Sequence, residues 1–242
     1  MSLKLTWYGH ASFGLEVGGR NILVDPFLTD NPAASTSADT LEPEYILISH
    51  GHSDHTGDAL SIARRTGALV ISNFEIANWF EDQGIQVHAQ HIGGGYTYPF
   101  GYLKLTQALH GSALPDGSYG GNPCGFLLTT PADEKLYLAC DTGLFGDMRL
   151  IGDEGVDLAA LPIGDNFTMG PEDALRAVKL IRPKQVIPVH YNTFEVIRQD
   201  AHAWARRVEA ETDTGTAVDW DVMRIAAMSR MLSFPFRTLS SR

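Results

Sequence analysis

Short apolar runs separated by turn residues recur along the chain. Residues 4–8, 12–17 and 21–24 have the composition of strands, and Gly18-Gly19 predicts a tight hairpin between the last two. Residues 45–48 are apolar throughout, which is typical of a buried strand. The same patterns predict further strands over residues 69–71, 85–87, 102–109, 126–130, 135–139, 158–163 and 185–189.

Apolar positions recur at helical spacing later in the chain, where they alternate with the strands. Helices are predicted over residues 58–66, 75–83, 172–181 and 194–211. Residues 26–43 are rich in proline and small polar residues and predict a long loop. Early strand pairs followed by this alternation predict an α/β fold, a sandwich of mixed sheets with helices outside.

Composition and charge narrow the class of protein. The chain has 242 residues, of which 44% are hydrophobic and 19% charged, as in an ordinary soluble enzyme. Its net charge of -11 disfavours a nucleic-acid surface, which needs clustered Lys and Arg. Two cysteines, Cys124 and Cys140, do not make a disulfide framework. Without a signal-peptide pattern or a run of about 18 apolar residues, we expect a cytoplasmic protein with a small-molecule substrate. We expect no nucleic-acid or membrane partner, and a homo-oligomer stays open.

One short segment concentrates metal-ligating side chains. His50-Gly51-His52-Ser53-Asp54-His55 directly follows the apolar run 45–48, so its ligands lie on a loop at the carboxyl end of a strand. Imidazole nitrogens with a carboxylate suit zinc, iron or manganese, and not magnesium or calcium alone. The spacing therefore predicts a transition-metal site.

Three later strand-like runs also end at a potential ligand. They are followed by His110, Asp141 and His190. If these strands lie side by side with residues 45–48, their carboxyl ends face one cleft. The cleft would then hold seven candidate ligand residues, which fit two metals with one bridging carboxylate.

These ligands and several flanking segments resemble a known family, the metallo-β-lactamase fold superfamily. Within it, the chain is most similar to the UPF0173 metal-dependent hydrolases over about residues 3–216. More distantly it resembles ascorbate-phosphate lactonases and N-acyl phosphatidylethanolamine phospholipase D enzymes. The resemblance implies a four-layer αββα sandwich in one domain, residues 1–218, and leaves a tail, residues 219–242, with no structure assigned. The flanking segments are residues 7–12 (WYGHAS), 25–28 (DPFL), 91–94 (HIGG), 162–174 (PIGDNFTMGPEDA) and 188–193 (PVHYNT).

The resemblance also implies a role for each matching residue. The first metal site would be His50, His52 and His110, and the second Asp54, His55 and His190, with Asp141 as the bridge. Asp25 would orient ligands from behind. His10 and Asp54 are the candidate catalytic residues. Weaker candidates on the substrate side are His91, Asp165, Asn166 and Asn192.

A hydrolytic mechanism follows from these ligands. Two divalent ions, zinc first and manganese as the alternative, would share a hydroxide that attacks an ester, lactone, thioester or phosphodiester. Two other functions stay open. One is an iron-dependent oxidoreductase on the same fold, although His52 stands where flavin-linked diiron members carry Glu, which favours hydrolysis. The other is a non-catalytic metal-binding protein.

Overall fold

Hydrogen-bonded strands build two mixed sheets in the computed structural model, which describes residues 3–219 and 222–224. The strands of sheet one are β1 Lys4–Gly9, β2 Ser12–Val17, β3 Arg20–Val24, β4 Tyr45–Leu47, β5 Leu69–Asn73, β6 Val87–Gln90 and β14 Val222–Arg224. Those of sheet two are β7 Gly95–Tyr98, β8 Gly101–Gln107, β9 Cys124–Thr129, β10 Lys135–Leu138, β11 Leu158–Pro162, β12 Gln185–Val189 and β13 Gly215–Thr216. Sheet one runs in the order β14-β1-β2-β3-β4-β5-β6 and sheet two in the order β13-β12-β11-β10-β9-β8-β7.

Helices occupy the segments between the strands. They are α1 Ser53–Thr56, α2 Ala59–Thr66, α3 Phe74–Asp82, α4 Met148–Gly152, α5 Pro171–Ile181 and α6 Ala201–Glu211, with short 3₁₀ helices at Ala38–Thr40 and Glu195–Ile197. Local sequence explains their ends. Pro171 opens α5, where a missing N–H costs nothing, and the Asn73 side chain caps α3 by accepting from the Ile76 N–H.

Three apolar clusters fill the spaces between four layers. The central cluster joins the facing sides of the two sheets, for example Leu15 of β2 and Phe126 of β9. A second cluster packs α4, α5 and α6 on the outside of sheet two. The third packs α2 and α3 on the outside of sheet one. The layers are therefore α, β, β and α, as the resemblance implied.

The structure corrects several element boundaries. The helix expected over residues 194–211 is two pieces, because the Asp200 side chain caps a new helix by accepting from the Ala203 N–H. The strand expected over residues 85–87 begins at Val87, since the Ile85 N–H still bonds to Phe80 at the end of α3. Strand β7 was not predicted; its residues pair with β8 next to a glycine run.

Part of the C-terminal tail joins the fold. In the segment 219–242, the strand Val222–Arg224 pairs antiparallel with β1, and the remainder from residue 225 lies outside the described residues. Among the helices described, none is both long and apolar enough to cross a membrane.

Candidate metal centre

The carboxyl ends of four strands meet at one edge of the sandwich. Strand β4 of sheet one leads into the histidine segment, and strands β8, β10 and β12 of sheet two lead towards His110, Asp141 and His190. The four strands were expected side by side. They instead belong to two sheets that face each other, so the cleft lies between the sheets.

The backbone turns sharply after several strands that end at this edge of the sandwich. His10 follows β1, Asp25 follows β3 and His190 follows β12, and their φ angles are 54°, 44° and 52°. This left-handed conformation is unusual for residues with a side chain, although His and Asp tolerate it better than most. Such strain, of order 1–3 kcal/mol per residue, clusters at functional sites.

Three histidines form the first ligand cluster, which we call cluster one. His50, His52 and His110 each bring a ring nitrogen within 4.8 Å of the others, and His50 Nε2 lies 3.1 Å from His52 Nδ1. Burial is the main reason that the pKa values of His50 and His110 lie below the usual histidine range. Those two rings are therefore neutral and offer lone pairs, which is the state that binds a cation.

Cluster two comprises His10, Asp54, His55 and His190, whose ligand atoms also lie within 4.8 Å of one another. The rings of His10, His55 and His190 are buried, whereas the Asp54 side chain keeps 31% of its surface exposed. Burial alone would raise the pKa of Asp54, but the hydrogen bond from His10 and the charge of His55 hold it well below its usual range. Asp54 is the member of the cluster that faces the open cleft.

Asp141 lies between the two clusters. Its Oδ2 is 3.0 Å from His190 Nε2 and 3.4 Å from His55 Nε2 in cluster two. The same oxygen is 3.5 Å from His110 Nε2 in cluster one. Burial alone would raise the pKa of Asp141, but the neighbouring His190 and His55 rings hold it well below its usual range. One ionised carboxylate oxygen is thus in reach of both clusters.

Several buried polar atoms in this cleft lack a hydrogen-bond partner within the described part of the chain. They are His55 Nε2, Asp141 Oδ1 and both ring nitrogens of His190. Buried polar groups are nearly always satisfied, so these orphaned atoms are best explained by cations that bind them. The donor set of imidazoles and carboxylates fits a transition-metal ion such as zinc, iron or manganese.

Asp25 holds the ligands of both clusters from behind. Its buried carboxylate accepts from His55 Nδ1 at 3.0 Å, from the Ser49 N–H at 2.8 Å and from the Ser49 hydroxyl at 2.5 Å. The Ser49 oxygen also lies 2.9 Å from His50 Nδ1. Because the Ser49 proton goes to Asp25, its oxygen accepts from His50 Nδ1–H. Both His55 and His50 therefore turn Nε2 towards the cleft, and on the neutral His50 ring this nitrogen is unprotonated.

Sequence reasoning named Asp25 but missed Ser49. Asp25, His50 and His55 also lie within ligand distance of one another, but the hydrogen bonds above account for this contact. The only sequence signal for Ser49 was its place directly before the histidine segment.

His10 connects cluster two with the chain after β12. Its Nε2 lies 3.3 Å from Asp54 Oδ2 and its Nδ1 lies 2.8 Å from Thr193 Oγ1. Burial lowers the pKa of His10 to about 4, so the ring is neutral at pH 7. Since the Asp54 carboxylate only accepts, Nε2 carries the proton and Thr193 donates to Nδ1.

The predicted substrate-side residues do not belong to either ligand cluster. His91 borders a separate cavity with Asn73, Glu75 and Tyr119 and stacks on Phe74. Asp165 and Asn166 form a turn in which the Thr168 N–H donates to the Asp165 carbonyl. Asn192 accepts from the Gln199 N–H and so shapes its own loop. The structure does not bring these four residues into the ligand cluster.

Comparison with known proteins begins with a family model. The chain matches the model described as "Beta-lactamase superfamily domain" over residues 4–190. A "UPF0173 metal-dependent hydrolase" of Desulforamulus reducens is 50% identical over 217 residues, which are 88% of this chain and 94% of that protein. One of the same name from Thermus thermophilus is 45% identical over 216 residues, 89% and 96% of the two chains.

Solved structures agree with the fold. A "novel metallo hydrolase", Igni18 from the archaeon Ignicoccus hospitalis, superposes with a TM-score of 0.83 at 36% identity, covering 93% of this chain and 97% of its own. The metallo-β-lactamase fold protein YhfI of Bacillus subtilis superposes with a TM-score of 0.71 at 13% identity, covering 93% and 100%. At that identity YhfI supports the fold alone.

Proposed function

The chain belongs to the UPF0173 metal-dependent hydrolases of the metallo-β-lactamase superfamily, and on that premise we propose that it is a dinuclear enzyme. Its two ions would bind in clusters one and two, with Asp141 as their shared ligand. We propose zinc as the native metal and manganese as the alternative. The reaction is the hydrolysis of an ester, lactone, thioester or phosphodiester of a small molecule.

The observation that carries this proposal is the position of Asp141. Its Oδ2 lies within 3.5 Å of a histidine nitrogen from each cluster. A single metal site would use one cluster and leave the imidazoles of the other cluster without a role. A carboxylate shared between two clusters supports a pair of cations.

Bound divalent ions would supply two things here, an acidified water near neutral pH and a Lewis acid for the substrate oxygen. The protein's own residues would manage the proton. As the water oxygen bonds to the reacting carbon or phosphorus, a proton leaves the water and must reach the departing group. Asp54 faces the open cleft and would hold that proton, while the His10 N–H keeps the carboxylate oriented.

A substrate panel with an Asp54 variant tests the proposed function. The metal-loaded protein should hydrolyse at least one of a carboxylic ester, a lactone, a thioester and a phosphodiester. Asp54→Asn should lower kcat by roughly 100-fold or more, the usual contribution of a positioned acid or base. The metal content of this variant, measured in parallel, shows whether the lower kcat comes from lost proton transfer or from lost metal. Full turnover by a metal-loaded Asp54→Asn variant would remove Asp54 from the mechanism, and the exposed Asp82→Asn serves as the control.

A further inference from the structure

A cavity of ≈ 550 Å³ adjoins cluster two on the side of Asp54. Its walls come from the loop after β3, from the start of α1 and from the segment after β12. Asp54 belongs both to the cavity wall and to cluster two. A group attached to the reacting centre of a substrate would therefore extend into this space.

Two phenyl rings form the apolar wall of the cavity. Phe27 and Phe194 lie with ring centroids 6.5 Å apart, and each meets the His10 ring edge to face, at 5.8 and 5.6 Å. Phe194 keeps 39% of its surface exposed. An exposed phenyl ring fixed beside a candidate catalytic histidine offers an apolar contact to a substrate.

The polar wall of the same cavity is acidic. Asp30 and Asp58 line it in addition to Asp54, which is a ligand residue of cluster two, and no Lys or Arg does so among the residues that border it. Asp58 accepts only from neutral donors, the Leu28 N–H at 2.7 Å, the Thr29 N–H at 2.9 Å and the Thr29 hydroxyl at 2.6 Å. Its charge is thus held in place without a cation beside it. Such a wall repels anions and favours neutral or cationic groups.

The apolar wall and the acidic wall together favour substrate groups of a particular charge and polarity. Phenyl faces attract cations through their ring quadrupoles, and carboxylates add to that attraction. We propose, resting on the hydrolase function above, that the substrate is a carboxylic-acid derivative carrying an apolar, neutral or cationic group in this cavity. Phosphodiesters and substrates whose side group is anionic are disfavoured, and Phe194 and Asp30 are specificity-determining residues.

A series of phenyl esters that differ in charge tests this inference, with each kcat/KM divided by the rate at which hydroxide alone hydrolyses the same ester, because the substituents also change the leaving group. The substrates are phenyl acetate, its 4-trimethylammonium derivative and its 4-carboxylate derivative, with a bis-aryl phosphodiester alongside. The metal-loaded protein should hydrolyse the neutral and cationic esters with kcat/KM roughly 10-fold or more above the anionic one. Asp30→Asn should narrow the gap between the cationic and anionic esters several-fold, whereas the control Asp82→Asn should leave that gap as in the wild-type protein.

A separate variant tests the apolar wall formed by Phe27 and Phe194. Phe194→Ala should lower kcat/KM for phenyl acetate by roughly 10-fold while changing that for methyl acetate little, because only the larger substrate loses a contact. Phe74→Ala removes another exposed ring, which stacks on His91 outside this cavity, and should have no such effect. A second measurement, the binding of benzyltrimethylammonium and benzenesulfonate by titration calorimetry, does not depend on turnover.

The outcomes separate this inference from the proposed function. Binding of the ammonium compound that is lost in Phe194→Ala, without hydrolysis of any ester, supports the cavity assignment and contradicts hydrolysis. Hydrolysis that is equal for all three charges, or faster for the anionic ester or the phosphodiester, overturns the inference and leaves the hydrolase function standing.

Discussion

At Asp141, a single carboxylate oxygen contacts histidines from both clusters. Replacing Asp141 with Ala removes the one ligand that the two proposed ions share. We expect Asp141→Ala to lose at least one equivalent of metal per chain, measured by plasma mass spectrometry on folded protein. Asp82→Ala, an exposed carboxylate on α3, should keep the wild-type content. Unchanged metal in Asp141→Ala would contradict the bridging role.

A second prediction for a single residue concerns Ser49, because its hydroxyl links Asp25 to His50. Without it, nothing fixes the tautomer that leaves His50 Nε2 unprotonated. Ser49→Ala should raise the metal dissociation constant by roughly 10–100-fold, the usual effect of removing a group that orients a ligand. Competition with a chromophoric chelator measures it. Ser61→Ala, whose hydroxyl donates to the Asp58 carbonyl, is the control, and equal affinity in both variants would exclude this role.

Single residues also show which features of the site could be predicted from the sequence and which could not. The spacing of His50, His52, Asp54 and His55 predicted a metal site because ligand type and proximity are readable from the chain. The contact of Thr193 with His10 was not readable, since it joins residues 183 positions apart. The left-handed backbone at His10 and His190 was likewise invisible, because it depends on how each strand leaves its sheet.

Among the secondary-structure elements, too, some features could be predicted from the sequence and others could not. Uniform apolar runs predicted β4, β11 and β12 well, because strands buried on both faces carry that pattern. The run expected over residues 102–109 ends as β8 at Gln107, so His110 is placed by a loop rather than by the strand itself. Whether strands share one sheet or face each other across two is a property of packing, and the sequence alone left it undecided.

The turn between β1 and β2 sets the position of His10, and Gly9 makes that turn with a φ of +103°. A Cβ there would collide with the Ala33 carbonyl oxygen. Gly9→Ala should therefore lower the free energy of unfolding by about 2 kcal/mol or more in urea titrations. Gly84→Ala has a similar left-handed φ of +78° but open space around the Cβ, so it should cost about 1 kcal/mol. Equal losses would mean that the Ala33 contact does not constrain the turn.

On the scale of the whole molecule, the candidate metal centre ties the two sheets together. His50 and His55 follow β4 in sheet one, whereas Asp141 and His190 follow strands of sheet two. These buried side chains from the two sheets lie in close contact. Bound cations would join them through metal–ligand bonds between the sheets. Metal and fold stability should thus be coupled.

Chelation measures this coupling. A ligand present at 100 times its dissociation constant stabilises a protein by about 2.7 kcal/mol, and for a chain of this size each kcal/mol shifts Tm by roughly 2–4 °C. Removing metal should therefore lower Tm by roughly 5–10 °C in scanning calorimetry. Asp141→Ala should show a smaller response to chelator. The same Tm with and without metal in the wild-type protein would separate metal binding from folding.

Metal content of the untagged protein, purified without chelator, tests the shared site at Asp141 most directly. Two cation positions in one cleft predict about two equivalents of zinc or manganese per chain. Plasma mass spectrometry gives both the number and the element in one experiment. A single equivalent, or no metal and no uptake on reconstitution with zinc or manganese, would contradict the dinuclear centre.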